Sequence, residues 1–318
     1  MSIKIGIPRA LLFHKYSTLW ITFFEELGAN VIVSEETNKR ILNEGTNNSV
    51  DEACIPVKLF HGHVLSLKDK VDYIFIPRIV GLHKGEYICP KFSGLPEMIK
   101  YSLKDLPKII DTEINFIKSI EKLNDTVQSI GRYVTNDNKK IMYAWEKAYE
   151  NYKMDNLRLN EKFLDINLSN NKKIMVMGHP YNLYDRYMNM SAIDKIKSKG
   201  LNVVTPEMID SVTINENSKK YKGKIFWAFA RKLIGTTMYL IEKNNIDGVI
   251  YISSFGCGID SVVGETVERI IRRESNIPYM LLTLDEHSGE AGVNTRLEAF
   301  IDMIKWREKD ENNISAHG

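Results

Sequence analysis

Short aliphatic runs recur along the chain, each followed by a stretch in which apolar positions return every three or four residues. The first pattern suits strands buried on both faces and the second suits amphipathic helices. Their alternation predicts an α/β fold with mostly parallel sheets. Residues 3–7 read as the first strand and 16–27 as the helix after it, with Gly28 as its stop. Residues 31–34 and 73–76 read as further strands, and 37–44 and 56–67 as helices, Pro56 being suited to a first turn. A long glycine-containing loop then leads to a helix near 95–103, and 108–110 adds a strand.

From Asn138 to about Phe163, apolar Ile141, Ala144, Trp145, Ala148 and Tyr152 fall at helical spacing in a charged background. This predicts a long connecting helix, in which Trp145 and Tyr149 serve packing rather than redox relay. After a polar stretch at 167–173, a second series begins, with strands at 174–177, 203–204, 249–252 and 279–284. Its helices are expected near 191–198, 226–243, 259–273 and 294–305. The expected organisation is an N-terminal α/β lobe over 1–135, a connecting helix over 136–172 and a C-terminal α/β lobe over 173–318. Both lobes read as Rossmann- or flavodoxin-like. In such sheets ligands bind beyond the carboxyl ends of the strands, so the post-strand loops are where chemistry is sought.

Composition narrows the function classes. The 318 residues carry 43 Lys plus Arg against 41 Asp plus Glu, a net charge of +2. That balance gives no electrostatic footprint for nucleic acid or a membrane surface. No apolar run approaches the ~20 residues that span a bilayer. The opening MSIKIGIPRALLFH lacks the features of a secretory signal. A soluble cytoplasmic protein is expected, with neither nucleic acid nor membrane as partner.

The chain has three cysteines, Cys54, Cys89 and Cys257, and no CxxC pair. Isolated cytoplasmic cysteines are ordinarily small buried hydrophobes. Their surroundings suggest more. Cys257 follows a strand in VIYISSFGCGID, between Gly256 and Gly258 and ahead of an amphipathic helix. Glycine permits close backbone approach, and a helix start favours a thiolate or an anion. Cys54 and Cys89 lie in loops with Pro56 and Pro90 close behind, and Cys-Pro is common around iron–sulfur ligands. If the three converge, thiolate softness selects zinc, Cu(I) or an iron–sulfur cluster. Zinc usually draws on closely spaced pairs, which are absent here. A 4Fe–4S cubane would keep one iron not bound by cysteine.

The segments ACIPVKLFHGHVLSL, VDYIFIPR, EYICPKFSGLPEMIK, SSFGCGIDS and NTRLEAFIDMI together resemble the 2-hydroxyacyl-CoA dehydratase superfamily. More closely, they are similar to its short, activase-related (CoA protein activase) branch. The resemblance implies Rossmann-like subdomains with a cluster held between them, ligated by Cys54, Cys89 and Cys257. It also implies low-potential electrons from an actin-like ATPase activator that carries its own iron–sulfur cluster. Those electrons would pass to a bound substrate or to a partner subunit, with the chain a homodimer or paired with a homologous subunit. The cluster would be oxygen-sensitive and its setting anaerobic. This chain lacks ATP machinery of its own: residues 258–266, GIDSVVGET, lack the lysine and spacing of a P-loop.

Other candidates stand beside plainer readings. His61 and His63 lie two apart on an expected helix, do not share a face, and suit core hydrogen bonding better than joint ligation. His179, in GHPYN after a strand, is a candidate proton donor or iron contact, with Tyr181 and Asn182 as substrate contacts; the alternative is a strand-ending turn. Glu286, in DEHSGE after another strand, is a candidate proton-handling acid. Arg9 and Arg78 suit an anion such as a CoA phosphate, or ion pairs. Two further readings remain open: a non-catalytic cluster-binding or regulatory partner of a larger homologue, and a zinc or thiol site on the same scaffold.

Overall fold

The computed structural model describes residues 2–315 and divides the chain into two compact units, Met1–Arg158 with Gly223–Arg231, and Leu159–Lys222 with Lys232–Gly318. The first unit opens with β1 (Lys4–Ile7), α1 (Phe13–Glu26), β2 (Asn30–Val33), α2 (Lys39–Asn47), α3 (Ile55–Leu67) and β3 (Tyr73–Phe75). It continues with β4 (Arg78–Gly81), α4 (Pro90–Ser93), α5 (Leu95–Ser102), β5 (Lys108–Ile110), β6 (Glu113–Asn115) and α6 (Ile120–Gly131). The long helix α7 (Asn138–Leu168) carries the chain into the second unit. There follow β7 (Lys173–Met177), α8 (Pro180–Tyr184), α9 (Ala192–Ser198), β8 (Asn202–Val204) and α10 (Ser211–Ser218). The remaining elements are α11 (Ala228–Lys243), β9 (Gly248–Ser254), α12 (Gly258–Glu274), β10 (Tyr279–Leu284) and α13 (Glu290–Ser315).

Each unit is built on a four-stranded parallel sheet. The orders are β2-β1-β3-β5 and β10-β9-β7-β8. With strands counted in chain order within each sheet, both run 2-1-3-4, the doubly wound order of flavodoxin-like folds. The order reverses between β1 and β3 in one sheet and between β7 and β9 in the other. A crevice opens at the carboxyl ends of the strands at such a reversal. The expected α/β class with mostly parallel strands is what the structure has.

Burial explains the patterns. All seven residues of β9 are buried, as a central parallel strand covered by helices on both faces requires. Around it, Val176 and Ile250 pack with Ala192, Ile196, Leu297 and Ile301. In the first unit, Trp20 stacks obliquely on Phe75 at 4.7 Å and meets Trp145 of α7 at 5.9 Å. Trp145 is therefore core packing. Gly28, at φ +89°, ends α1, and its N–H bonds the Glu25 carbonyl.

Some expected boundaries shift for identifiable reasons. The loop expected between residues 76 and 95 holds β4 and the turn α4, the latter started by Pro90 at its first position. Strand β4 pairs with β6 in a separate two-stranded sheet, bulged between Ile79 and Gly81. GHPYN is a turn of helix rather than a loop, because Pro180 likewise opens α8.

Candidate metal centre

All three cysteines occupy the same structural position, the residue immediately before a helix. Cys54 precedes α3, Cys89 precedes α4 and Cys257 precedes α12. Each has φ between −55° and −87° and ψ between 101° and 149°, so the chain is extended at the cysteine and turns into helix directly after it. None of the three forms a disulfide.

In the first unit, Cys54 is buried and Cys89 half-buried. Lys91 serves both. Its ammonium Nζ stands 3.8 Å from Cys54 Sγ, and its backbone N–H bonds the Cys89 sulfur. Burial pushes the Cys89 thiol up, with Lys91 pulling the other way. The sequence reading missed Lys91, because nothing in its local pattern separates it from a surface lysine.

In the second unit, Gly178–His179 after β7 and residues 255–260 after β9 flank the strand-order reversal. His179, Cys257 and Asp260 each bring a ligand atom to within 4.8 Å of the other two. His179 Nε2 lies 3.2 Å from Asp260 Oδ1, both side chains being 1% exposed. The Asp260 N–H points at Cys257 Sγ at 3.4 Å. Asp260 Oδ1 also accepts from the Tyr251 hydroxyl at 2.9 Å, and Oδ2 accepts from Asn182 Nδ2 at 3.2 Å. Asn182 is held by donating to the Ile252 carbonyl and by accepting from Ser254 Oγ at 2.9 Å. Burial, and the Asp260 carboxylate after it, push the Tyr251 phenol well up, so it stays a proton donor toward that carboxylate.

Gly178 makes this approach feasible. Its φ is +151°, and a Cβ there would sit 2.5 Å from the Ile252 carbonyl oxygen. The sequence singled out His179 and Asn182 by their post-strand loop. It missed Asp260 and Tyr251: the first reads as an ordinary first-turn acid and the second as one more apolar residue of β9.

The α3 histidines and the two arginines have structural partners within the first unit. His61 Nδ1 donates to the Val57 carbonyl at 2.8 Å, and His63 bridges Ser34 Oγ and Thr37 Oγ1, each at 2.9 Å. Both are buried core histidines, as expected. Arg9 donates to the Ser34 carbonyl at 3.2 Å and lies 3.7 Å from Glu36. Arg78 donates to the Ser93 carbonyl at 2.7 Å and pairs with Glu97, tying β4 to α4 and α5. Glu286 lies in the turn after β10, where neighbouring Asp285 accepts from the His287 N–H and the Ser288 hydroxyl. At the carboxyl end of the first sheet, Pro8, Leu11, Phe60, Phe75 and Phe92 line a cavity of about 50 Å³.

Comparison with known proteins gives the family. The family described as CoA enzyme activase uncharacterised domain (DUF2229) matches residues 4–209, and the chain belongs to it. It is thereby a relative of the 2-hydroxyacyl-CoA dehydratases. Over 66 residues it is 30% identical to "Putative dehydratase subunit YjiM" of Escherichia coli (strain K12), a stretch covering 20% of this chain and 17% of that one. Among solved structures, a Zn(II)-bound AdcAII mutant of Streptococcus pneumoniae overlays with TM-score 0.28 at 10% identity, covering 95% of this chain and 99% of that one. An FpvC mutant of Pseudomonas aeruginosa reaches TM-score 0.31 at 13% identity, covering 95% and 99%. Overlays this loose carry no functional weight. Among the described residues no helix is long and apolar enough to cross a membrane.

Proposed function

We propose that this chain is an iron–sulfur component of the dehydratase-subunit type, with Cys54, Cys89 and Cys257 as the thiolate ligands of one 4Fe–4S cluster. One iron would be left without a cysteine, since the chain has no fourth. The observation that carries the reading is the shared setting of the three sulfurs. Each stands ahead of a helix, and each has an N–H or ammonium donor directed at it: Lys91 Nζ for Cys54, the Lys91 N–H for Cys89 and the Asp260 N–H for Cys257. Hydrogen bonds to sulfur and positive charge beside it stabilise thiolate ligands and tune cluster potential. That donor set fits the group.

Such a cluster supplies one-electron chemistry at low potential, and its open iron a Lewis-acid position. The chain's own residues would do the rest. Lys91 offsets thiolate charge in the first unit. Tyr251 and Asn182 hold Asp260 so that its N–H meets Cys257. His179, paired with Asp260, is the residue we assign to hold a proton near Cys257; Glu286, on the loop after β10, is the weaker candidate. Electrons would come from a separate ATP-dependent activator, as the family resemblance implies, and would leave to a bound substrate or a partner subunit. Family membership and the dehydratase-subunit likeness support that division of labour.

Anaerobic reconstitution tests the reading. Wild-type protein should hold about four iron atoms and four acid-labile sulfides per chain. Cys54→Ser, Cys89→Ser and Cys257→Ser should each lose most of that load. Protein that stays free of iron and sulfide, or keeps a full load with any one cysteine replaced, would overturn it.

A further inference from the structure

Cys257 belongs to a second donor set that lies wholly inside the second unit. A thiol, an imidazole and a carboxylate, each of different chemistry, converge within 4.8 Å at the strand-order reversal between β7 and β9. We infer that the second unit by itself holds a single divalent cation of the Zn²⁺ class on Cys257 Sγ, His179 Nε2 and Asp260 Oδ1.

The chemistry suits that ion. Zinc takes sulfur, imidazole nitrogen and carboxylate oxygen together, and three protein ligands leave its fourth position open. Harder cations such as Mg²⁺ and Ca²⁺ prefer all-oxygen sets and would pass this one over. The surrounding shell is built as metal sites require. Tyr251 donates to Asp260 Oδ1 while Asn182 fixes Oδ2, so the carboxylate cannot rotate away. Asn182 is itself locked to the Ile252 carbonyl and Ser254. Partners of this kind orient ligands and raise affinity. His179 and Asp260 are buried, whereas Cys257 is half-buried beside exposed Phe255 and Gly256, which gives an ion a way in.

This inference goes beyond the cluster reading and is independent of it: it needs neither Cys54 nor Cys89. The two occupancies share Cys257 and therefore exclude one another. The mononuclear state is what the second unit offers to a free ion when no cluster is present.

The probe is Co²⁺ added to full-length protein freed of metal and cluster by anaerobic chelation. One equivalent should bind and give a near-ultraviolet thiolate-to-Co²⁺ charge-transfer band, displaced by Zn²⁺. Cys257→Ser should abolish the band, and His179→Gln and Asp260→Asn should weaken binding at least tenfold. Tyr251→Phe, which removes only an outer hydrogen bond, should weaken it about 10–100-fold. Cys54→Ser and Cys89→Ser should leave the Co²⁺ titration unchanged, although both lower cluster loading. Absence of the band in wild-type protein would overturn the inference, and so would its survival at full affinity in folded His179→Gln or its loss in Cys54→Ser. Should Asp260→Asn fail to fold, His179→Gln and Tyr251→Phe decide the matter. Failure of the cluster reading would appear separately, as missing sulfide with the Co²⁺ site intact.

Discussion

At the scale of single residues, burial decides protonation in the first unit. His63 is pushed down to about 3 by burial, with His14 and Arg9 adding repulsion. His14 is pushed down to about 4 by burial and then Arg9. Both are neutral in the folded state, whereas an unfolded histidine takes a proton below about 6.5. The unfolded state therefore binds more protons as pH falls, and stability present above about 6.5 is lost toward 3–4, by about 1.4 kcal/mol per pH unit for each histidine. Urea unfolding at pH 7 and pH 5 should show the drop, and His63→Gln should flatten its slope. Equal stability at the two values would contradict the assignment. The same scale marks the limit of reading from sequence. The cysteines and His179 stood out as candidates because Gly, Pro and strand ends flank them. Lys91, Tyr251 and Asp260 were not, because their roles come from partners supplied by other elements or by the three-dimensional turn at the start of α12.

At the scale of elements, two glycines fix the helix that follows Cys54. Helices α2 and α3 cross so closely that a Cβ on Gly45 would lie 2.0 Å from the Lys58 carbonyl oxygen, and one on Gly62 2.0 Å from that of Ile41. Gly62→Ala must push the helices apart and should cost about 1–3 kcal/mol, with lower iron loading through the displaced Cys54. Gly292→Ala is the control, since nothing lies within 4 Å of its Cβ position and alanine favours helix. Thermal unfolding of the two variants should differ in sign, and a Gly62→Ala as stable as wild type would refute the packing argument. Strands such as 279–284 were readable as continuous apolar runs. By contrast, β4 and β6 escaped: four and three residues long, they pair only with each other, beside a loop rich in Gly and Pro. The crossing of α2 and α3 was equally hidden, because a glycine in a helical pattern does not announce what it touches.

At the scale of the whole molecule, two sheets of one strand order each set post-strand loops where an α/β fold collects its ligands. The alternation of runs predicted that class, but strand order came only from the pairing, since parallel neighbours leave no local mark in sequence. Two sulfurs belong to the first unit and one to the second. On the proposed reading, loading the cluster should therefore stabilise both units together. Iron-loaded protein should unfold at a higher temperature, and in fewer steps, than the apo chain, and unchanged melting would argue against ligands drawn from both.

The most direct test is electron paramagnetic resonance of the anaerobically reconstituted, reduced protein, recorded with and without CoA thioesters. The account predicts the signal of a single reduced 4Fe–4S cluster that is altered by a ligand reaching the cysteine-free iron, and that is lost in each cysteine variant. A protein with zinc but no sulfide, or with no cluster signal after reconstitution, would contradict it.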